Sequence, residues 1–566
     1  LRVTALRTVM RWGSILPVLV LVTFLATSPA SRPLGEAREA VATAHRIANP
    51  VPVVVVVLDE LPAASLLTPR GDIDAELFPN FDRLRRRFTW FRNTTTRYSH
   101  TTQIMPSVLS GKPWNPDGDP VVADYPDNLF TLLGDRYDTV AREEVTWLCP
   151  PSVCRAPAHD FPERFVGMLH DAAVVGQHVA LPNAWTGHLP PVDAAWRNFR
   201  RAGGVWDRSD EDRVWTAEDP RVEFRPFLES FSDAGTPVLR YYHAMAPHHP
   251  FQFLPEGYRY PQELPLPAYD DGAASPDDEF YIAQAHARHL LQVGYVDRMI
   301  GDLLDALEAW PLYDDALVAV LADHGISFRA GYTLRTGREG NKDAVAHVPL
   351  FVKTTGQREG RVDDRPAMIS DLLPTVAGVL DVEPMWQLEG RSLFDPEPDP
   401  QRSRLLSSRG QVLHLPSDGS GLQPSLDEWL ARFGPGGDWE QVYSIGPYAD
   451  LRGGSVAERP EGETEVVDLQ INHDEAYRSV DTSGESLPAL LNGRVQGDAV
   501  PAGTWLAVAL NGQVASTTMV HEREAGPGYF SAMIPPSAFV DGDNGLALYR
   551  IGEAPDGAVV LHPLRG

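Results

Sequence analysis

Between Pro52 and Leu58 the chain reads PVVVVVL, a continuous apolar and β-branched run. Such a run suits a strand buried on both faces of a parallel sheet. Val238 to Tyr242 and Ala316 to Ala322 have the same character, and between them Val296, Met299, Ile300, Leu303, Leu304 and Leu307 recur at helical spacing. Strands alternating with helices predict an α/β fold, a doubly wound sheet with flanking helices, over residues 45–400. The pattern changes beyond Asp399. Residues 401–460 are rich in Gly, Pro and Ser, carry one helical stretch from Ser425 to Phe433, and are expected to form a linker region. After them LPALLNGRV, TWLAVALNGQVASTTMV and GLALYRIG are short β-type runs separated by turns such as Asn511-Gly512 and Asp543-Asn544-Gly545. They predict a small β-sandwich-like accessory domain over residues 461–566.

The first thirty residues read differently. Arg2, Arg7 and Arg11 precede an apolar run from Ile15 to Ala26, and the small residues Ala26, Ser28 and Ala30 close it. This is the layout of a secretory signal peptide or a short membrane anchor, so the chain is expected to be exported or held at a membrane by its N-terminus, facing outward. Cys149 and Cys154 are the only cysteines, five apart in CPPSVC, and a disulfide between them fits an oxidising compartment. Lys and Arg number 49 against 77 Asp and Glu, a formal charge of -28, which excludes nucleic-acid binding through a basic face.

Candidate chemistry gathers where the strand runs stop. The first ends in Asp59 and Glu60, the second in His243 with His248 and His249 beyond it, and the third in Asp323 and His324. Open α/β sheets bind ligands at the carboxyl ends of their strands, and a divalent cation there would neutralise the acids and orient the imidazoles. In YSHTTQIMPSVLSGK, Thr101 and Thr102 precede an apolar helical stretch in which Pro106 is expected in the first turn. A threonine at such a helix N-terminus is either a simple N-cap or a nucleophile activated by a metal and the dipole. Arg85, Arg86 and Arg87 read as a solvated helix face, and His170, His178 and His188 show no ligand spacing.

Taken in order, LDE at the first strand end, FPNFDRL (Phe78 to Leu84), the Thr101 segment, HAMAPHHP (His243 to Pro250), YVDRMIGDLLDAL (Tyr295 to Leu307), LADHG (Leu321 to Gly325), HVPLFVK (His347 to Lys353), ISDLLPTVAGVL (Ile369 to Leu380) and EGRSL (Glu389 to Leu393) resemble the alkaline phosphatase and sulfatase superfamily. The resemblance implies that Asp59, Glu60, Thr101, Asp323 and His324 hold one divalent cation, with calcium, magnesium, manganese and zinc all compatible. Thr101, ten residues before Gly111, falls at the nucleophile position, where sulfatases carry the cysteine or serine that becomes formylglycine. Threonine cannot be oxidised to that aldehyde and instead resembles the branch of phosphoethanolamine and phosphoglycerol transferases. That branch implies His243, His248 and His347 as substrate contacts, His248 and His347 also as catalytic groups, and Lys342 as a weaker substrate-binding candidate beside His249. The expected activity is hydrolysis or phosphoryl transfer on a phosphate or sulfate ester, carried by an envelope lipid or a glycan. Two alternatives stand beside it: a sulfuric ester hydrolase with an atypical nucleophile, and a noncatalytic cell-surface binding protein that keeps the fold.

Overall fold

The computed structural model describes residues 46–154, 161–181, 189, 219–231, 237–260, 279–395, 404–443, 445–523 and 526–566. The N-terminal leader and His188 lie outside the described residues. Among the described residues no helix is long and apolar enough to cross a membrane.

The valine run forms strand β1 (Val53–Asp59), buried along its whole length. It is an inner strand of a seven-stranded sheet together with β2 (Thr89–Phe91), β3 (Asp138–Arg142), β4 (Val238–Pro247), β5 (Leu317–Ala322), β6 (Leu350–Lys353) and β7 (Arg361–Asp363). The spatial order is β3-β4-β1-β5-β6-β2-β7. Strands β3, β4, β1 and β5 run parallel, whereas β6 is antiparallel to both β5 and β2. In register, Leu58 lies opposite Ala322 on one side and Ala244 on the other, so the residues that follow β1 and β5 emerge at one edge of the sheet. Strand β4 continues through His243 to Pro247, further than its apolar run suggests, and the register shifts between Leu58 and Asp59.

Helices near this sheet include α1 (Pro79–Arg87), α2 (Thr101–Ser110), α3 (Glu279–Ala309) and α4 (Leu372–Leu380). Helix α3 spans 31 residues, far more than the stretch whose spacing announced it. Its first half buries Gln284, His286, Arg288, His289 and Gln292 along with its apolar residues, so no one-sided pattern marks it in the sequence. Pro106 lies inside α2 rather than in its first turn. Because α2 begins at Thr101, the missing N–H of Pro106 leaves the Thr102 carbonyl without its helical donor.

The C-terminal part holds a five-stranded and a four-stranded sheet, both mainly antiparallel. Asn511 and Gly512 both take positive φ, 54° and 79°, at the turn between Trp505–Leu510 and Gln513–Met519. Two consecutive left-handed residues are what a type I′ hairpin requires. Residues 404–443 form a hairpin (Leu405–Ser408 and Gln411–His414) and two helices (Gln423–Phe433 and Trp439–Tyr443). Trp429 and Phe433 from this stretch join the main hydrophobic core. The two halves also share a buried polar contact, in which the Gln284 amide of α3 bonds Ser531 and Thr518.

Candidate active site

Asp59 ends β1, and the chain then turns sharply because Glu60 adopts a left-handed backbone with φ 63°. For a residue other than glycine this conformation is strained, and such strain clusters at functional sites. The turn points the Glu60 N–H at Asp323 Oδ1, 3.0 Å away, and the His324 N–H meets the same oxygen at 2.6 Å. Gly325 then lets the loop pass the Ala344 carbonyl, which a Cβ would approach to 2.3 Å.

Thr101 is the first residue of α2 and is buried. Its hydroxyl donates toward Asp59 Oδ1 and Oδ2 at 3.5 and 3.4 Å and lies 3.4 Å from His324 Nε2. His324 Nε2 is in turn 3.7 Å from Asp59 Oδ1 and 3.6 Å from Asp323 Oδ2, and His243 Nε2 is 3.9 Å from Asp59 Oδ2. Ligand atoms of Asp59, Asp323 and His324 all fall within 4.8 Å of one another. Asp323 Oδ2 and both ring nitrogens of His243 have no hydrogen-bond partner among the described residues. Burial, then the charge of Asp323, pushes the Asp59 carboxyl well above the usual range. Burial also works to raise Asp323, but the neighbouring His324 and His243, together with hydrogen bonding to the carboxyl, outweigh it and hold that carboxyl low. Two buried carboxylates and an imidazole with free lone pairs are a donor set that suits a divalent cation.

The other expected residues separate into those near this cluster and those away from it. Glu60 is fully buried, but its carboxylate faces the Arg335 guanidinium, Oε1 to Nε 3.5 Å, rather than joining the three ligand atoms. His248 lies close enough to feel Arg335 and His324; burial first, then the Arg335 charge, lowers its pKa far below that of free imidazole. His347 is buried among other partners. Its Nδ1 meets the Asp343 carbonyl at 3.0 Å and its Nε2 faces Arg404 at 3.5 Å, and burial followed by the Arg404 charge lowers it to about 4. Gly421 closes over it, since a Cβ there would lie 2.7 Å from His347 Cε1. Lys342 pairs with Glu339 at the start of a short helix, and among the described residues no hydrogen bond or ion pair joins it to the cluster. His249 packs edge-on against Phe251. Cys149 and Cys154 are joined, with Cα atoms 6.0 Å apart.

Sequence reasoning missed Arg335, whose guanidinium sits 3.4 Å from His324 Nε2 and is 6% exposed. It also missed His100, the N-cap of α2, whose pKa burial and then the Arg335 charge lower to about 3. Arg404 was equally invisible: it bonds Asn93 Oδ1 at 2.6 Å and Thr95 Oγ1 at 3.2 Å. Arg335 and Arg404 lie in stretches without periodicity, where only the fold brings them to the site.

The family model described as Sulfatase matches residues 52–382. The chain belongs to the sulfatase family. The uncharacterized sulfatase YidJ of Escherichia coli is 28% identical over 184 residues, 30% of this chain and 36% of that protein. The endo-4-O-sulfatase of Bacteroides thetaiotaomicron is 23% identical over 227 residues, 36% of this chain and 44% of that protein. The matches thus span less than half of either curated relative. Among solved structures, a phosphonate monoester hydrolase from Silicibacter pomeroyi is 19% identical, with a TM-score of 0.41, covering 63% of this chain and 79% of that one. The matched span contains the carboxylate and histidine group of Asp59, Asp323 and His324, which could hold a divalent metal.

Proposed function

We propose that this sulfatase-family chain is an exported, metal-dependent hydrolase or phosphotransferase that acts on phosphate esters through a covalent Thr101 intermediate. The observation that carries the reading is the Thr101 hydroxyl at the head of α2, within 3.5 Å of both Asp59 and His324. Asp59 accepts its hydrogen bond and so orients the oxygen. A divalent cation held by Asp59, Asp323 and His324, with Thr101 beside them, would neutralise the paired carboxylates and lower the pKa of that hydroxyl. Thr101 Oγ1 forms a bond to phosphorus as the bond to the ester oxygen breaks; that oxygen takes up a proton and departs. Water or an acceptor alcohol then displaces Thr101 and restores its hydroxyl. His243, whose pKa burial lowers, offers a ring N–H to an equatorial oxygen; His248 donates its Nδ1–H to the His249 carbonyl and so presents the Nε2 lone pair as a proton acceptor, and Arg335 adds positive charge beside them.

The family match favours a second reading in which the ester is a sulfate. A panel of phosphomonoesters, phosphodiesters and sulfate esters, including lipid-linked and glycan-linked ones, separates the two. In either case Thr101→Ala abolishes turnover with the fold intact, Thr101→Ser retains part of it, and Thr102→Ala has little effect. The modified peptide trapped with substrate carries its mass on Thr101; mass on Thr102, or full activity in Thr101→Ala, defeats the assignment. Export rests on the Arg-then-apolar N-terminus and is supported by the joined Cys149 and Cys154. Non-reducing peptide mapping of protein recovered outside the cytoplasm checks it, and two alkylatable thiols in that material count against it.

A further inference from the structure

Gln292, in the middle of α3, is 2% exposed. Every hydrogen bond of its side-chain amide goes to the backbone of one loop, the segment that leaves β4 and carries His248. Oε1 accepts from the Gln252 N–H at 2.8 Å and the Phe253 N–H at 3.3 Å. Nε2 donates toward the carbonyls of Pro247, His248 and Pro250 at 3.1, 3.0 and 3.1 Å. A primary amide offers two donors and one two-lone-pair acceptor, so the three carbonyls share two N–H groups and the side chain is used to its full capacity. The loop needs such a partner. Pro247 and Pro250 lack an N–H of their own to donate, and the carbonyls of Pro247, His248 and Pro250 each face the amide as acceptors. Helix α3 is buried on both sides of Gln292 and packs on α1 and β4, so it is a rigid base for the amide.

We infer that Gln292 is a positioning residue that fixes the backbone of His248 relative to the Thr101 site, an inference that rests on the reading of His248 as a substrate contact. Gln292 touches neither the ester nor the cluster of Asp59, Asp323 and His324; it acts through the loop. A glutamate of the same size would keep the oxygen that faces Gln252 and Phe253 but would turn a second oxygen toward three carbonyls.

The test uses the full chain and two readouts. Amide hydrogen exchange at Gln252 and Phe253 reports the clamp itself, and steady-state kinetics on the preferred ester of the panel reports its consequence. For Gln292→Leu, exchange at those two amides accelerates at least about tenfold, and kcat falls about 10- to 100-fold with little change in KM. In the His248→Ala background, Gln292→Leu lowers kcat no further, which general destabilisation would not produce. If Gln292→Leu fails to fold, Gln292→Glu is measured in the same way, with the same expectation for kcat and for the double variant. Native kcat in the Gln292 variants alongside an impaired His248→Ala overturns the inference alone, as does a loss that adds to that of His248→Ala. Unchanged turnover in His248→Ala overturns the underlying reading and the inference with it, even where exchange shows the clamp.

Discussion

Two buried carboxylates of the α/β domain, Asp297 on α3 and Asp323 after β5, differ in how their oxygens are satisfied. Asp297 accepts from the Asn80 N–H at 3.0 and 3.2 Å, the Asn80 side-chain amide at 2.9 Å and the Phe81 N–H at 2.9 Å, capping the first turn of α1. Both of its oxygens are occupied by protein. Asp323 satisfies Oδ1 with two backbone N–H groups and leaves Oδ2 without a hydrogen-bond partner among the described residues, 3.6 Å from His324. A buried polar atom left unpaired costs on the order of 1–3 kcal/mol, so a fold retains one where something outside the chain completes it. The same residue type is therefore a structural cap in one place and a site for chemistry in the other, and the hydrogen-bond accounting tells them apart.

The comparison breaks most visibly at Asp323. Asp323→Asn is expected to lose bound divalent metal and about a thousandfold in turnover, with an unfolding midpoint near that of the parent. Metal analysis, activity and denaturant unfolding on one preparation check this; full turnover with undiminished metal in the variant refutes the division drawn above. Asp297→Ala reverses the pattern. It strands the N–H groups at the head of α1, so it is expected to destabilise by about 2–3 kcal/mol while turnover per folded molecule holds.

A smaller effect sharpens the contrast through pH. Burial, partly offset by its hydrogen bonds, raises the Asp297 carboxyl from 3.8 to about 6. Between these values the folded state keeps a proton that the unfolded state has released, so this group's contribution to stability is fully present below about pH 4 and is lost as pH rises through 6. The loss is on the order of 2–3 kcal/mol. Urea unfolding from pH 4 to 7 shows it as the difference between the parent and Asp297→Asn, whose stability lacks that downward slope. Identical pH dependence in the two chains removes Asp297 from the account.

Local pattern carried much of this protein. The valine run, the two other apolar runs and the turn at Asn511-Gly512 all declare their elements because burial on both faces and left-handed turns select residue types directly. Strand ends could be read because Asp59, Asp323 and His324 interrupt apolar runs, and Thr101 because a polar stretch precedes an apolar helix. Helix α3 was read only from its one-sided C-terminal half. Residues 404–443 looked like a linker since a hairpin and short helices leave little periodicity, yet they place Arg404 on His347.

What the sequence determined by itself is the inventory: an α/β core, acids and imidazoles at strand ends, a threonine at a helix start and a family likeness spread over most of the α/β part. What only the tertiary structure decided is which of these groups meet. It turned Glu60 toward Arg335, paired Lys342 with Glu339, covered His347 with residues from beyond the sheet and set Gln292 under the His248 loop. The physical reason is range. Propensity and periodicity act over a few neighbouring residues, whereas the separations that make a site join side chains far apart in sequence: 42 positions from Asp59 to Thr101 and 223 from Thr101 to His324. Only sheet register and helix packing set those distances.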